Sequence, residues 1–223
     1  MQSAGDLWTR GYARLGTLLD RAECEYIRSL YEQPEVFRSR IDMARYRFGR
    51  GEYQYFSYPL PERIDRLRHE LYNHLVPLAV EWMDALKLPT EYPPQLDEFL
   101  AECHAAAQAR PTPLLLRYRK DDYNCLHQDL YGDIVFPFQV VTCLSRPGGE
   151  FTGGELLLVE QQPRAQSVGH ALRLEQGESV VVTTRYRPVK GSRGYYRTNF
   201  RHGVSPLLSG ERFTLGLIFH DAA

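Results

Sequence analysis

The chain has 223 residues, 43% of them hydrophobic and 25% charged, with a formal net charge of -1. A length in that range suits one domain with a substantial core, and the near-neutral balance excludes a general polyanion binder, so any basic surface must be local. No run approaches the roughly 20 apolar residues of a membrane helix, the opening MQSAGDLWTRGYARLG lacks the apolar stretch of a secretory signal, and Cys24, Cys103, Cys125 and Cys143 form no CxxC pair, which together imply no membrane partner and a reduced, cytoplasmic setting.

Residues 20–34 read as a helix: Asp20 can cap it, and Ile27, Leu30 and Tyr31 recur at helical spacing. Residues 61–76 read as a second, with Pro61 suited to a first turn and Ile64, Leu67, Leu71 and Leu75 on one face. Pro77 is expected to bend or end it, with a further helix running through Trp82 to Leu86. Residues 95–109 make an alanine-rich helix. After Pro113 the rhythm changes. LLLRYRK, IVFPFQVVTCL, ELLLVEQ, SVVVTTR and RFTLGLIFH are short runs rich in β-branched and aromatic residues, separated by the turn signals RPGGEFTGG, EQGE and LLSGE. Helices first and strands later predict an α+β chain forming a single domain over residues 1–223. Residues 1–112 are expected to be mainly helical support, packed on one side of an all-β barrel or sandwich at 113–223.

The main chemical signal is His127-Gln128-Asp129 followed much later by His202. On extended backbone, residues i and i+2 point the same way, so His127 and Asp129 can grip one ion together. Two histidines and one carboxylate leave open coordination positions, the set used by non-haem iron(II) oxygenases. The triplet alone does not decide the matter: His127 could equally be an ordinary hydrogen-bonded histidine and Asp129 a turn residue. Arg212 shifts the balance. Folding RHGVSPLLSGERFTLGLIFH as a hairpin about Leu207–Leu208 puts His202 opposite Arg212 on neighbouring strands, about 5 Å apart at the backbone. A guanidinium there would pair bidentately with the far carboxylate of an acid whose other end sits on the metal. Thr214 shares the face of Arg212 and offers a hydroxyl to the same group. Tyr118, on the LLLRYRK strand, can do the same or be a core tyrosine with a satisfied hydroxyl. Cys125 reads as structural, since a site with a carboxylate favours harder ligands.

HQD at 127–129, FTGGEL at 151–156, His202 and the RxT of Arg212–Thr214 together resemble the 2-oxoglutarate/Fe(II) oxygenase superfamily, over residues 114–221. The wording HQDLYGD, TGGELLLVEQ and RHGVSPLLSGERFTLGLIFHD is similar to a bacterial group predicted to oxidise damaged nucleic-acid bases. The core also resembles AlkB-like and prolyl-hydroxylase-type enzymes. The resemblance implies a double-stranded β-helix (jelly-roll, cupin-like) core with the N-terminal helices packed on one side. It implies Fe(II) at His127, Asp129 and His202, and 2-oxoglutarate and O2 as co-substrates, with the C5 carboxylate of 2-oxoglutarate on Arg212, Thr214 and Tyr118. Decarboxylation to succinate would be coupled to hydroxylation or oxidative demethylation. Retention of Asp129 argues against halogenation, because related halogenases lack the carboxylate to make room for halide.

Two segments combine cations with aromatic side chains. Residues 185–201 (RYRPVKGSRGYYRTNFR) contain no acid and run directly into His202; residues 37–58 are arginine- and tyrosine-rich and are expected to form a lid over the site. Cations track phosphates and aromatic faces stack on exposed bases, so Arg47, Tyr53, Tyr55, Arg197 and Asn199 are candidate contacts to a single-stranded or flipped-base nucleic acid or to a nucleotide. Other readings stay open: a protein or amino-acid (prolyl-type) hydroxylase, a small-molecule oxygenase, and a non-catalytic metal-binding β-barrel sensor.

Overall fold

The computed structural model describes residues 2–88 and 90–223. Its helices are α1 (Gln2–Arg10), α2 (Arg21–Ser29), the short α3 (Met43–Tyr46), α4 (Glu62–Ala85) and α5 (Leu96–Ala105). The N-terminal half also carries strands β1 (Tyr12–Thr17), β2 (Phe37–Asp42), β3 (Gly49–Arg50) and β4 (Glu52–Phe56). The remaining strands are β5 (Leu114–Arg119), β6 (Tyr123–His127), β7 (Phe138–Cys143), β8 (Phe151–Gly153), β9 (Leu156–Gln161), β10 (Val168–Leu172), β11 (Glu178–Thr183), β12 (Tyr186–Gly191), β13 (Gly194–Val204) and β14 (Leu207–Ile218).

The strands form two antiparallel sheets, the α+β jelly-roll layout expected. The larger has the order β1-β11-β7-β14-β5-β4-β2, with β8 beside β14; the smaller has the order β10-β9-β13-β6-β3, with β12 beside β13. Period-2 alternation sorts the side chains of the large sheet. On β14, Phe213, Leu215 and Leu217 join Val140, Val181 and Leu115 in a core shared with Ile64, Leu67, Leu71, Leu75 and Trp82 of α4. The intervening residues of the same strands face the small sheet, where Val141, Cys143, Val180 and Val182 pack with Leu156, Leu158 and Phe200. Strand β7 is therefore buried along its whole length, and its sequence FQVVTC reads as a near-continuous apolar run.

Three expectations need correction. Pro77 neither ends nor splits α4, which runs unbroken from Glu62 to Ala85. Proline removes the bond to the carbonyl four residues back, here Asn73, and both residues are exposed, so water can satisfy that group. Second, the N-terminal half is not simply helical support: β4 pairs with β5, β2 with β4, and β1 with β11, so it widens the large sheet at both edges. Arg38 and Arg40 in β2 and the short length of β4 hid these strands from an apolar-run reading. Third, β13 and β14 are not a paired hairpin. The chain turns at Ser205-Pro206 and crosses from the small sheet to the large one, so His202 lies opposite His127 while Arg212 lies opposite Tyr118. His202 and Arg212 thus face each other across the sandwich instead of lying side by side.

Candidate active site

His127 closes β6, and antiparallel pairing places it directly across from His202 on β13. Their ring centres are 4.3 Å apart. Asp129, just past the end of β6, swings its carboxylate between them, with Oδ1 3.5 Å from His127 Nε2 and Oδ2 3.2 Å from His202 Nε2. One donor atom from each of the three residues lies within 4.8 Å of the others, so the set could hold a single metal ion. The i, i+2 spacing and the cross-strand register together create this convergence.

Hydrogen bonds outside the triad prepare the donors. His127 Nδ1 lies 2.8 Å from the Cys125 carbonyl, which can only accept; Nδ1 therefore carries the proton and Nε2 keeps its lone pair. The amide of Gln139 lies 3.2 Å from His202 Nδ1. Its two ends are interchangeable by rotation, so its oxygen can accept from Nδ1–H when Nε2 is needed as a ligand. The Tyr131 hydroxyl donates to Asp129 Oδ1 at 2.5 Å, and Tyr55 donates in turn to Tyr131 at 3.1 Å. Burial opposes ionisation of Asp129, but the hydrogen bonds and charges of His127 and His202 outweigh it and hold its carboxyl well below the usual range. Burial also opposes protonation of His127, and there the Asp129 carboxylate prevails and raises the imidazole. Deeper burial and the neighbouring His127 push His202 down. The cluster thus combines an ionised carboxylate with a His202 that burial keeps neutral, while a cation bound beside Asp129 would take the place of the proton that the carboxylate favours on His127.

The triad lies in a cavity of about 350 Å³ between the sheets, and Tyr118, Arg212 and Thr214 line it too. Tyr118 and Arg212 are register partners on β5 and β14, and the guanidinium carbon is 5.7 Å from the Tyr118 ring centre. Arg212 and Thr214 are only 2% and 3% exposed, and Arg212 Nη1 and Thr214 Oγ1 are both buried without a hydrogen-bond partner. Orphaned buried donors are costly, and a cation and a hydroxyl orphaned on one wall could together hold a carboxylate. This is the fit expected for a small diacid held by metal at its other end. The FTGGEL motif serves the same wall: Gly154 has φ +66°, and a Cβ there would fall 2.2 Å from Leu207 Cδ1 and 3.3 Å from Arg212 Cδ. Glycine lets the chain after β8 pass tightly over β14 and box in the arginine. Burial pushes the Tyr118 hydroxyl up to about 12, so it stays a neutral donor.

The expected substrate contacts divide. Arg47 and Tyr53 line the cavity beside Phe48. Tyr55 is 8% exposed and reaches the site only through Tyr131, so it supports a ligand and does not face substrate. Arg197 is remote, lining a separate cavity with Lys87, Tyr195 and Tyr196. Asn199 accepts a hydrogen bond of 3.0 Å from Gln128, at the cavity rim. The 37–58 segment is no free lid: β2 and β4 are built into the large sheet, and β3 pairs with β6, the strand of His127. Only the turn at Arg47 and Phe48 overhangs the cavity. Cys125 is exposed on its wall and not a packed core residue. Sequence reasoning missed Tyr131, Gln139 and Asn124, whose amide donates to the Tyr118 hydroxyl at 3.4 Å. Tyr131 continues the i, i+2 series from His127 and Asp129, and Gln139 is the one amide in an otherwise apolar strand, signals that could have found those two.

A jelly roll carrying two histidines, one carboxylate and a buried arginine at the far end of the same cavity has the donors that an oxygenase using a divalent metal and a small diacid would need. The chain belongs to the Oxygenase-NA family, described as oxygenases catalysing oxidative methylation of damaged DNA; the family's model matches residues 51–222. An uncharacterized protein of Mycobacterium tuberculosis strain H37Rv is 54% identical over 168 residues, covering 75% of this chain and 72% of that protein. Among solved structures, a Pseudomonas putida prolyl-4-hydroxylase superposes with a TM-score of 0.55 at 17% identity, covering 100% of this chain and 98% of that one. A viral collagen prolyl hydroxylase from Paramecium bursaria Chlorella virus-1, solved as a 2-oxoglutarate complex, gives 0.56 at 15% identity, covering 94% and 95%. At such identities the structural likeness speaks for the shared fold alone. Among the described residues no helix is long and apolar enough to cross a membrane.

Proposed function

We propose that this protein oxidises N-methyl groups on damaged nucleic-acid bases, using Fe(II), 2-oxoglutarate and O2. His127, Asp129 and His202 would hold the iron, and Arg212, Thr214 and Tyr118 the C5 carboxylate of 2-oxoglutarate. The observation that carries the reading is the pairing, in one cavity, of a convergent His-Asp-His set with an orphaned guanidinium and hydroxyl. When bound, iron and co-substrate supply the oxidising power: one atom of O2 enters succinate, with loss of carbon dioxide, and the other enters a C–H bond of the methyl group, which then leaves as formaldehyde. The family's description points to damaged DNA, and oxidation of the methyl carbon is the direction this donor set supports. The chain's own residues bind and orient. Tyr131 steadies the Asp129 carboxylate, the Cys125 carbonyl fixes the His127 ring, and Phe48 and Arg47 meet the incoming base at the rim. The apolar wall of Leu114, Leu116, Val141, Leu156 and Val204 limits water near the oxidant.

The nucleic-acid partner draws support from the exposed rim, where Tyr46 and Phe48 stack with ring centres 5.6 Å apart beside Arg45 and Arg47. Four free cysteines accord with a reducing, cytoplasmic setting. Turnover assays should compare single-stranded oligonucleotides carrying one N-methylated base with proline-containing peptides. Formaldehyde and succinate in equal amounts from the oligonucleotide are expected. Hydroxylated peptide with untouched oligonucleotide would transfer the site to the prolyl-hydroxylase reading that the fold neighbours share.

A further inference from the structure

We propose that the outer face of the β12–β13 hairpin is a track for the backbone of a single-stranded nucleic acid, leading to the cavity rim; this rests on the nucleic-acid reading above. Alternate residues of β13 face outward: Tyr195, Arg197, Asn199 and Arg201 are exposed, while Thr198, Phe200 and His202 are buried. Antiparallel register sets Tyr186 beside Asn199 and Lys190 beside Tyr195 on the same face. The Arg185 and Arg197 guanidinium carbons lie 4.5 and 5.3 Å from the Tyr186 ring centre, one sandwich of cation and aromatic ring. From Tyr195 to Arg201 the row spans about 20 Å, at roughly 3.3 Å per residue. Its far end opens into a cavity of about 210 Å³ lined by Lys87, Tyr195, Tyr196 and Arg197. Its near end meets the active site: Gln128, next to His127, donates to Asn199 Oδ1 at 3.0 Å and to the Phe200 carbonyl at 2.7 Å.

The charge on this face has nothing to balance it. Residues 185–201 contain no acid. Among the described residues, Arg185, Lys190, Arg193, Arg197 and Arg201 make no ion pair, although cations elsewhere are commonly paired (Arg14, Arg28, Arg40, Arg63, Arg117 and Arg119 all meet a carboxylate). The exception in the segment proves informative. Arg187, on the inward face, is buried against Glu160 at 2.7 Å. A chain of net charge -1 that concentrates unpaired cations on one strand face around the exposed Tyr195, in line with its cavity, fits a flexible polyanion with stackable bases. A duplex fits less well, because its bases are not available to the exposed ring of Tyr195.

The test is anisotropy of a labelled, unmethylated single-stranded oligonucleotide, titrated at several salt concentrations. The variants are Arg185→Gln/Arg197→Gln/Arg201→Gln and a control that also removes three cations, Arg21→Gln/Arg66→Gln/Lys120→Gln, with thermal midpoints confirming that each folds. The track variant should bind about tenfold or more weakly, with a salt slope shallower by about 2, since each phosphate contact on a single strand contributes about 0.7. The control should match the parent. Equal affinity and slope in track variant and parent would overturn the track, as would equal losses in both variants. Oxidation of a methylated nucleoside by a parent that does not bind the oligonucleotide would refute the track yet leave the base-oxidation reading standing. Peptide hydroxylation with neither binding nor base oxidation would sink both.

Discussion

Asp129 shows how much of the site depends on groups outside the His-Asp-His set. Its two oxygens serve two imidazoles, and the Tyr131 hydroxyl holds Oδ1 in place. Removing that hydroxyl in Tyr131→Phe should weaken iron(II) binding about 10- to 100-fold, as loss of an outer partner does at other metal sites. A cobalt(II) or iron(II) titration monitored by absorbance checks this, and an unchanged affinity would mean the hydroxyl is a bystander. At the other end of the cavity, Thr214→Val keeps the shape and removes one orphaned donor. It should raise the 2-oxoglutarate requirement about 3- to 10-fold, the worth of roughly 1 kcal/mol for a single neutral hydrogen bond. At this scale the sequence was most legible where chemistry and spacing coincide. His127, Asp129, His202, Arg212 and Thr214 belong to rare constellations. Tyr131, Gln139 and Asn124 are common residue types whose roles arise only from what folding brings beside them.

At the scale of elements, α4 is the brace of the large sheet. Trp82 is fully buried, donates its indole N–H to the Tyr186 carbonyl at 2.9 Å and packs on Trp8 and Phe138. Trp82→Ala should cost about 3–5 kcal/mol in urea unfolding, typical of a large aromatic deleted from a core. His220, just past β14, accepts the Phe136 N–H at 3.1 Å, and burial pushes its imidazole down to about 4 from 6.5. A depressed folded pKa means the unfolded chain binds the proton first. The stability contributed is therefore complete above about pH 6.5 and is lost as pH falls toward about 4, amounting to about 3 kcal/mol in all. His220→Asn should flatten the fall in unfolding free energy between about pH 7 and about pH 4.5; an unaltered slope would assign acid lability elsewhere. Element reading from sequence did well where one helix face is apolar, as in α2 and α4, and where a strand is an apolar run buried on both faces, as in β7 and β11. It failed for β2 and β4, whose arginines and tyrosines alternate on a partly exposed sheet edge, and at Pro77, whose cost is borne by a solvated carbonyl.

Across the whole molecule, the large sheet and its helices provide a stable back, and the small sheet presents His127 and His202 inward and basic, aromatic side chains outward. The double use of β13 is the link between the two: His202 points to the cavity while Arg197, Asn199 and Arg201 point away. An α+β chain with a β barrel or sandwich was foreseeable from the order of apolar runs, and its jelly-roll form only from the resemblance to the oxygenase superfamily. The crossing between β13 and β14 was not, because a short Ser-Pro link serves a hairpin and a sheet-to-sheet passage equally well. That difference moves Arg212 from beside His202 to the opposite wall, and it is this separation that opens the cavity between the His-Asp-His set and the guanidinium.

The central claim is that one cavity binds a divalent iron and 2-oxoglutarate together, each through the residues named. Anaerobic titration of the full chain with Fe(II) and 2-oxoglutarate measures this most directly. The parent should develop the visible charge-transfer band of the chelate; His127→Ala should abolish it, and Arg212→Ala should restore it only at about 10- to 100-fold higher 2-oxoglutarate, in keeping with loss of a charge-assisted pair. No band in the parent, or the same band at the same concentrations in both variants, would contradict the account.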